Sequence, residues 1–427
     1  MGDLLGAASG GEVNGGGDVA DVRSVSAEMI EVSAVRVGST DQSLSAAVDG
    51  PRPGLPPSGE PLQIDGWVIG REAAPVAVDI EDESGVRWRV PVGNPRPDVA
   101  AAYPDVEGAS ACGFSRSLPW THLPPKSDIH LWAVLPGERR SRFATIHLRR
   151  LPNATTEPDR PSPRSGAVGS GRAIKGPDFV IIGAQRGGTT SLHRYLGEHP
   201  DIILPVTKEL HYFSRLYDRG DDWYRRQFPV RLPEPMITGE ATPYYLPHPH
   251  APRRLHAFAP AAKLIVLLRD PVDRAYSHYQ HEVRRGHETL PFEEALAREE
   301  ERLRGEQERM LADETYDSLP YQRFSYQSRG LYAEQLGAWF AFFPREQSLI
   351  VESERFYAEP IATVRRVTDF LGLPGHDLAD SSVRNQVDYP SMSAAARRRL
   401  QPCFDQSNRD LVALLGTPFS WTNPEWT

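Results

Sequence analysis

Asp178-Phe179-Val180-Ile181-Ile182-Gly183, continued by Ala184-Gln185-Arg186-Gly187-Gly188-Thr189-Thr190-Ser191, is the stretch on which the fold turns. A short apolar run closed by glycine reads as a strand buried on both faces, as in parallel sheets covered by helices. Residues 189–196 read as a helix, so the predicted unit is strand, glycine loop, helix. Glycines let the loop point its N–H groups inward, and the helix start adds its positive end, which together cradle a phosphate. The frame fits G-x-x-x-x-G-K-[ST] except at Thr189, which stands where a nucleoside triphosphatase carries lysine. The loop's own cation is Arg186.

Downstream, strands are predicted at 236–240, 263–268 (KLIVLL) and 348–352. Helices are predicted at 273–285, 331–343 and 361–371, with a single charged, solvated helix over 292–313. Strands alternating with helices predict an α/β fold: a P-loop-type parallel sheet with helices on both faces. Such sheets bind ligands at the carboxyl ends of their strands. Arg269-Asp270-Pro271 closes KLIVLL, where a guanidinium can grip an anion bidentately. Ser277, two turns into the following helix, is expected to reach the same anion. Glu240, in TGEATP, ends the strand expected beside the loop.

The front of the chain has a different texture. Of the 74 proline and glycine residues, 41 fall in residues 1–177. Strand-length runs at 29–37, 62–69, 76–80, 86–92, 129–134 and 144–148, separated by turn signals, predict a small all-β sandwich or barrel. Residues 1–25 read as a disordered leader, 26–152 as the β-sandwich, 153–176 as a Pro/Ser/Gly/Arg linker and 177–427 as the second domain. For 427 residues this gives two domains.

A net charge of −9 argues against nonspecific nucleic-acid binding. Two cysteines, Cys112 and Cys403, cannot supply a disulfide framework or a four-thiolate metal site. Together with the absence of an apolar run of membrane-spanning length or a signal peptide, they lead to an expected cytoplasmic location, with no membrane span. A homodimer is compatible with the sequence. Only 4 of the 48 basic residues are lysine, so Lys208 carries more weight than any single arginine.

FVIIGAQRGGTTSL, KELHYFS, DWYRRQFP, GEATPYYL, LIVLLRDPVDRAYSHY and SRGLYAEQLGAWFAFFP, in that order, resemble the sulfotransferases that use 3'-phosphoadenosine 5'-phosphosulfate (PAPS), especially the heparan sulfate N- and 3-O-sulfotransferase branch and its bacterial relatives. The resemblance spans roughly residues 177–427. It implies that Gln185, Arg186, Gly187, Gly188, Thr189, Thr190 and Ser191 cradle the 5'-phosphosulfate, that Arg269 and Ser277 bind the 3'-phosphate, and that no metal is needed. It further implies Glu240 as catalytic base and Arg186 as stabiliser of the leaving phosphate. Lys208 is expected on the sulfate or bridging oxygen, with His211 as a rival base. His211 and Trp223 are expected to border the acceptor, and Arg384 to stand for a donor- or acceptor-binding lysine.

The expected reaction is sulfuryl transfer from PAPS to a hydroxyl or amine, on a carbohydrate or glycolipid acceptor. The alternatives are a P-loop kinase or NTPase, which Thr189 opposes, and a noncatalytic glycan-binding protein. The front segment Arg96-Pro97-Asp98 through Tyr103-Pro104, followed by Gly113-Phe114, resembles accessory β-domains beside sugar-modifying enzymes.

Overall fold

A computed structural model describes residues 29–38, 41, 43–54, 61–120, 123–151, 172–376, 378 and 390–422. The expected leader, residues 153–171 of the expected linker, and Arg384 lie outside them.

The front half holds β1 (Met29–Val37), β2 (Leu44–Gly50), β3 (Leu62–Gly70), β4 (Ala77–Asp82), β5 (Arg87–Pro91), β6 (Gly113–Leu118), β7 (Lys126–Leu135) and β8 (Arg139–Leu151). β2, β3 and β6 form one antiparallel sheet, and the others form a second in the order β1-β8-β7-β4-β5. Side chains alternate along β3, and its inward set Leu62, Ile64 and Val68 joins Ile80, Trp88, Leu131 and Ile146 in one apolar core. β4 is buried throughout, with its acids neutralised across the strands: Arg89 Nε lies 2.7 Å from Asp79 and Arg87 Nε 2.6 Å from Glu81. β2 (LSAAVDG) and β6 (GFSRSL) escape sequence prediction because small and polar residues carry little strand preference of their own.

The second sheet does not stop at the expected boundary. β9 (Arg172–Ala173), inside the expected linker, and β12 (Arg231–Leu232) extend it past β5. Val230 N donates to Arg87 O at 2.6 Å, and Leu232 and Met236 enter the front core. Residues 172–173 are therefore strand, fixed by pairing that the linker-like composition gives no hint of.

The parallel sheet contains β10 (Phe179–Gly183), β11 (Ile202–Ile203), β13 (Ile237–Ala241), β14 (Lys263–Leu268) and β15 (Ser348–Glu352), in the order β11-β13-β10-β14-β15. Helix α1 (Thr189–Gly197) follows β10, and α2 (Pro271–Arg284) follows β14. From β10 the chain moves to β11 and β13 on one side, then to β14 and β15 on the other. The reversal opens a crevice at β10's carboxyl end, where such sheets take ligands.

The single helix expected over 292–313 is three: α3 (Phe292–Ala297), α4 (Glu299–Leu303) and α5 (Glu306–Ala312). Gly305, at φ 77°, breaks the run. The expected solvated face is also corrected, since Glu299 and Glu306 are buried. Glu299 accepts the N–H groups of Gln327 and Ser328 at 2.7 and 2.9 Å.

Candidate active site

The loop between β10 and α1 is shaped by close approach. A Cβ on Gly187 would lie 2.7 Å from the Leu267 carbonyl oxygen, and Gly188 sits at φ 99°. Arg186 takes φ 72°, a left-handed conformation that costs a non-glycine residue about 1–3 kcal/mol. Both its side chain and its backbone are held in return: Arg186 Nε donates to Ser277 Oγ at 3.0 Å, and Arg269 Nη1 donates to the Arg186 carbonyl at 3.3 Å. Ser353 Oγ donates to Gly187 O at 2.7 Å. Arg186, Arg269 and Ser277 thus stand together at the ends of adjacent strands, beside Thr189 and Ser191, both buried at the start of α1.

α2 starts cleanly because Pro271 fits the first helical turn and the Asp270 side chain accepts the Val272 N–H. Arg397 pairs with Asp270 at 3.1 Å and also with Asp273, tying this helix start to the C-terminal segment. Asp270 N donates to Glu354 Oε1 at 3.0 Å. Burial pushes the Glu354 carboxyl up to about 7, against the pull of the Asp270 N–H and of Arg269.

Glu240 lies in register with Val180 on the neighbouring strand, as the sequence implies, but its carboxylate is enclosed. It is 1% exposed. Oε1 accepts from Tyr224 Oη at 2.8 Å and Tyr245 Oη at 2.9 Å, and Oε2 accepts from Thr242 Oγ1 at 2.6 Å. Burial raises its carboxyl above the usual range, while the three hydroxyls pull it back. Tyr212 stacks on Tyr224 with ring centres 4.6 Å apart. Both carboxylate oxygens of Glu240, expected as the catalytic base, are thus engaged by hydroxyls of its own neighbourhood.

The accessible carboxylate nearby is Glu209, whose side chain is 42% exposed. Glu209 N donates to Ala241 O at 3.1 Å, which docks the Lys208–His211 segment on the end of β13. Glu209 and His211 adopt φ 65° and 54°, a paired left-handed turn. Lys208 Nζ contacts Glu209 Oε1, and His211 Nε2 lies 3.6 Å from Glu209 Oε2. Burial drives the His211 imidazole down to about 4, so it is neutral at physiological pH. Trp223 is half-buried, 6.1 Å from the Tyr212 ring with the Arg219 guanidinium over it at 5.3 Å.

The fold and these groups stand beside known proteins as follows. The family model for the sulfotransferase domain matches residues 176–401. The chain belongs to the sulfotransferase family. Heparan sulfate glucosamine 3-O-sulfotransferase 3B1 of Mus musculus is 38% identical, covering 62% of this chain and 70% of that protein. The membrane-associated sulfotransferase kil1 of Dictyostelium discoideum is 28% identical, covering 59% and 68%. Among solved structures, a sulfotransferase from Alicyclobacillus acidocaldarius is 34% identical with a TM-score of 0.49, covering 58% of this chain and 100% of that one.

The expected cytoplasmic location of the sulfotransferase is overturned by these relatives, one of which is membrane-associated by name. Its physical basis was thin: Cys112 is buried and Cys403 exposed, both free, and free thiols do not specify a compartment. Among the described residues no helix is long and apolar enough to cross a membrane.

The sequence reading missed Thr242 and Tyr245 around Glu240, the Glu209 carboxylate, and Ser353, Glu354 and Arg329 behind the loop. Thr242 and Tyr245 follow Glu240 almost directly, a usable signal. Arg329 carried none, being one arginine among 44.

Proposed function

We propose that this sulfotransferase moves the sulfuryl group of PAPS to a hydroxyl or amine of a carbohydrate, with Glu209 as the base. The observation that carries the donor site is the convergence of Arg186, Arg269 and Ser277, which supplies two anion-binding positions on adjacent strand ends. A donor with separate 3'-phosphate and 5'-phosphosulfate needs two such positions. Arg269 and Ser277 hold the first. The amides of Gly187 to Thr190, with Arg186, hold the second at the start of α1.

The acceptor oxygen or nitrogen attacks sulfur in line. The new bond to sulfur forms as the bond between sulfur and the 5'-phosphate oxygen breaks, and adenosine 3',5'-bisphosphate leaves. The acceptor's proton passes to Glu209, which Lys208 and His211 flank. Charge developing on the leaving phosphate meets the Arg186 guanidinium and fixed amides, the kind of preorganised stabilisation that dominates such transfers. Glu240 acts as an internal post: it gathers Tyr224, Tyr245 and Thr242 and so fixes the segment carrying Glu209.

A carbohydrate acceptor is supported by the names of the relatives, which act on heparan sulfate glucosamine. Lys208 and Arg215 stand near this segment, each ion-paired, Lys208 with Glu209 and Arg215 with Asp317 at 2.9 Å. The front half is proposed as an accessory β-sandwich that braces the catalytic half through β9 and β12. Transfer of radiosulfate from labelled PAPS to N-sulfated heparosan, heparosan and an acceptor-free control tests the reading. Incorporation into either glycan supports it; none into either, with donor bound, refutes the carbohydrate assignment.

A further inference from the structure

We propose that Arg329 is a positioning residue that fixes the Gln185 amide with its –NH2 group toward the transferring sulfuryl group. The proposal deepens the donor-site reading above and rests on it.

A glutamine at the crest of the loop could present either end of its amide, and the two ends have opposite effects on an anion. An oxygen would repel a sulfuryl oxygen, whereas an –NH2 group would bind it. Arg329 decides between them. A guanidinium only donates, so the atom it touches is the amide oxygen, and Arg329 Nη1 does donate to Gln185 Oε1. The –NH2 end is thereby left to the open side of the half-buried Gln185.

Arg329 can impose this because it is itself over-determined. It is 3% exposed. Its Nη2 donates to the Tyr321 and Gln322 carbonyls at 2.8 and 2.9 Å, and its guanidinium lies 4.8 Å from the centre of the Tyr244 ring. Among the described residues no carboxylate lies within ion-pair distance of it, so no anion pulls it from the loop. Gly330 lets this segment press on α2: a Cβ there would lie 3.0 Å from Pro271 and 2.5 Å from the Phe404 ring. Two residues further on, Tyr332 Oη donates to the Arg269 carbonyl at 2.9 Å. One stretch, residues 328–332, thus touches the loop at Gln185 and the proposed 3'-phosphate position at Arg269.

The contrast between PAPS and adenosine 3',5'-bisphosphate isolates the sulfuryl group, because the two differ by it alone. Calorimetric titration of the full chain with each, without acceptor, gives the preference for PAPS. Gln185→Leu and Arg329→Met are each expected to lower that preference about tenfold, in keeping with one hydrogen bond to a charged group, while leaving bisphosphate affinity within about threefold. The double variant is expected to be no worse than either single one, because the two side chains act as one unit. Arg329→Lys is expected to recover part of the loss. Equal loss of PAPS and bisphosphate, or additive effects, would overturn the proposal. Where Arg329→Met is too unstable to titrate, Gln185→Glu decides: its carboxylate keeps the Arg329 contact but lacks the –NH2 group, so retained PAPS preference in that variant also overturns the proposal. A wild-type chain that binds neither nucleotide would instead refute the underlying donor site.

Discussion

Arg186 Nε and Ser277 Oγ, 91 positions apart in the chain, meet at 3.0 Å. The contact joins the glycine loop after β10 to the helix after β14, so the two anion-binding elements share one hydrogen bond. Ser277 is fully buried and orients the loop's own cation. Ser277→Ala therefore loses a hydroxyl for the 3'-phosphate and frees Arg186 together. About a tenfold loss of adenosine 3',5'-bisphosphate affinity is expected by calorimetry, with a melting temperature within a few degrees of the parent.

Gly187→Ala tests the close approach of the loop to β14. The new methyl would meet the Leu267 and Ala184 carbonyl oxygens at 2.7 and 3.0 Å. Both are backbone atoms, so the loop itself must move. Bisphosphate binding is expected to weaken by more than tenfold, alongside an overpacking cost of about 1–3 kcal/mol in stability read by denaturant titration.

The two glutamates separate by the kind of damage they cause. Glu209→Gln is expected to lower turnover by about 10²- to 10⁴-fold while bisphosphate affinity stays within a few-fold, the signature of a lost general base. Glu240→Gln places an amide –NH2 where the Thr242 hydroxyl donates. That conflict is expected to cost about 1–3 kcal/mol of stability. Equal turnover losses without a stability change in Glu240→Gln would return the base role to Glu240.

Glu354 links donor binding to pH. Its carboxyl is raised to about 7 in the folded protein, so near pH 7.5 it is mostly ionised in the free enzyme. A bound 3'-phosphate beside Arg269 adds negative charge and raises it further. Binding is then expected to take up a fraction of a proton, and affinity to fall as pH rises through about 7. Titrations in buffers of different ionisation heat measure the uptake, and Glu354→Gln is expected to remove the part not due to the nucleotide's own phosphate.

Much of the fold is legible in the sequence itself. The run 178–191 gave strand, loop and helix because buried parallel strands and phosphate loops each leave a local composition. Strands 263–268 and 348–352 match β14 and β15 residue for residue. The surroundings of Glu240 were illegible for a non-local reason: its position on β13 was correctly read, but the hydroxyl that engages its carboxylate comes from Tyr224, 16 residues earlier. Glu209 was overlooked because its exposure depends on a left-handed turn that no side-chain pattern announces. The strands β9 and β12 were invisible, since two-residue pairings are specified by their partner and not by themselves.

The donor site is the centre of the account, and binding of adenosine 3',5'-bisphosphate to the full chain in the presence of EDTA tests it most directly. The account predicts saturable one-to-one binding that Arg269→Ala and Ser277→Ala both weaken, and no matching affinity for ATP with Mg²⁺. Tight binding of Mg²⁺-ATP, with bisphosphate binding absent or unchanged in those two variants, would contradict it.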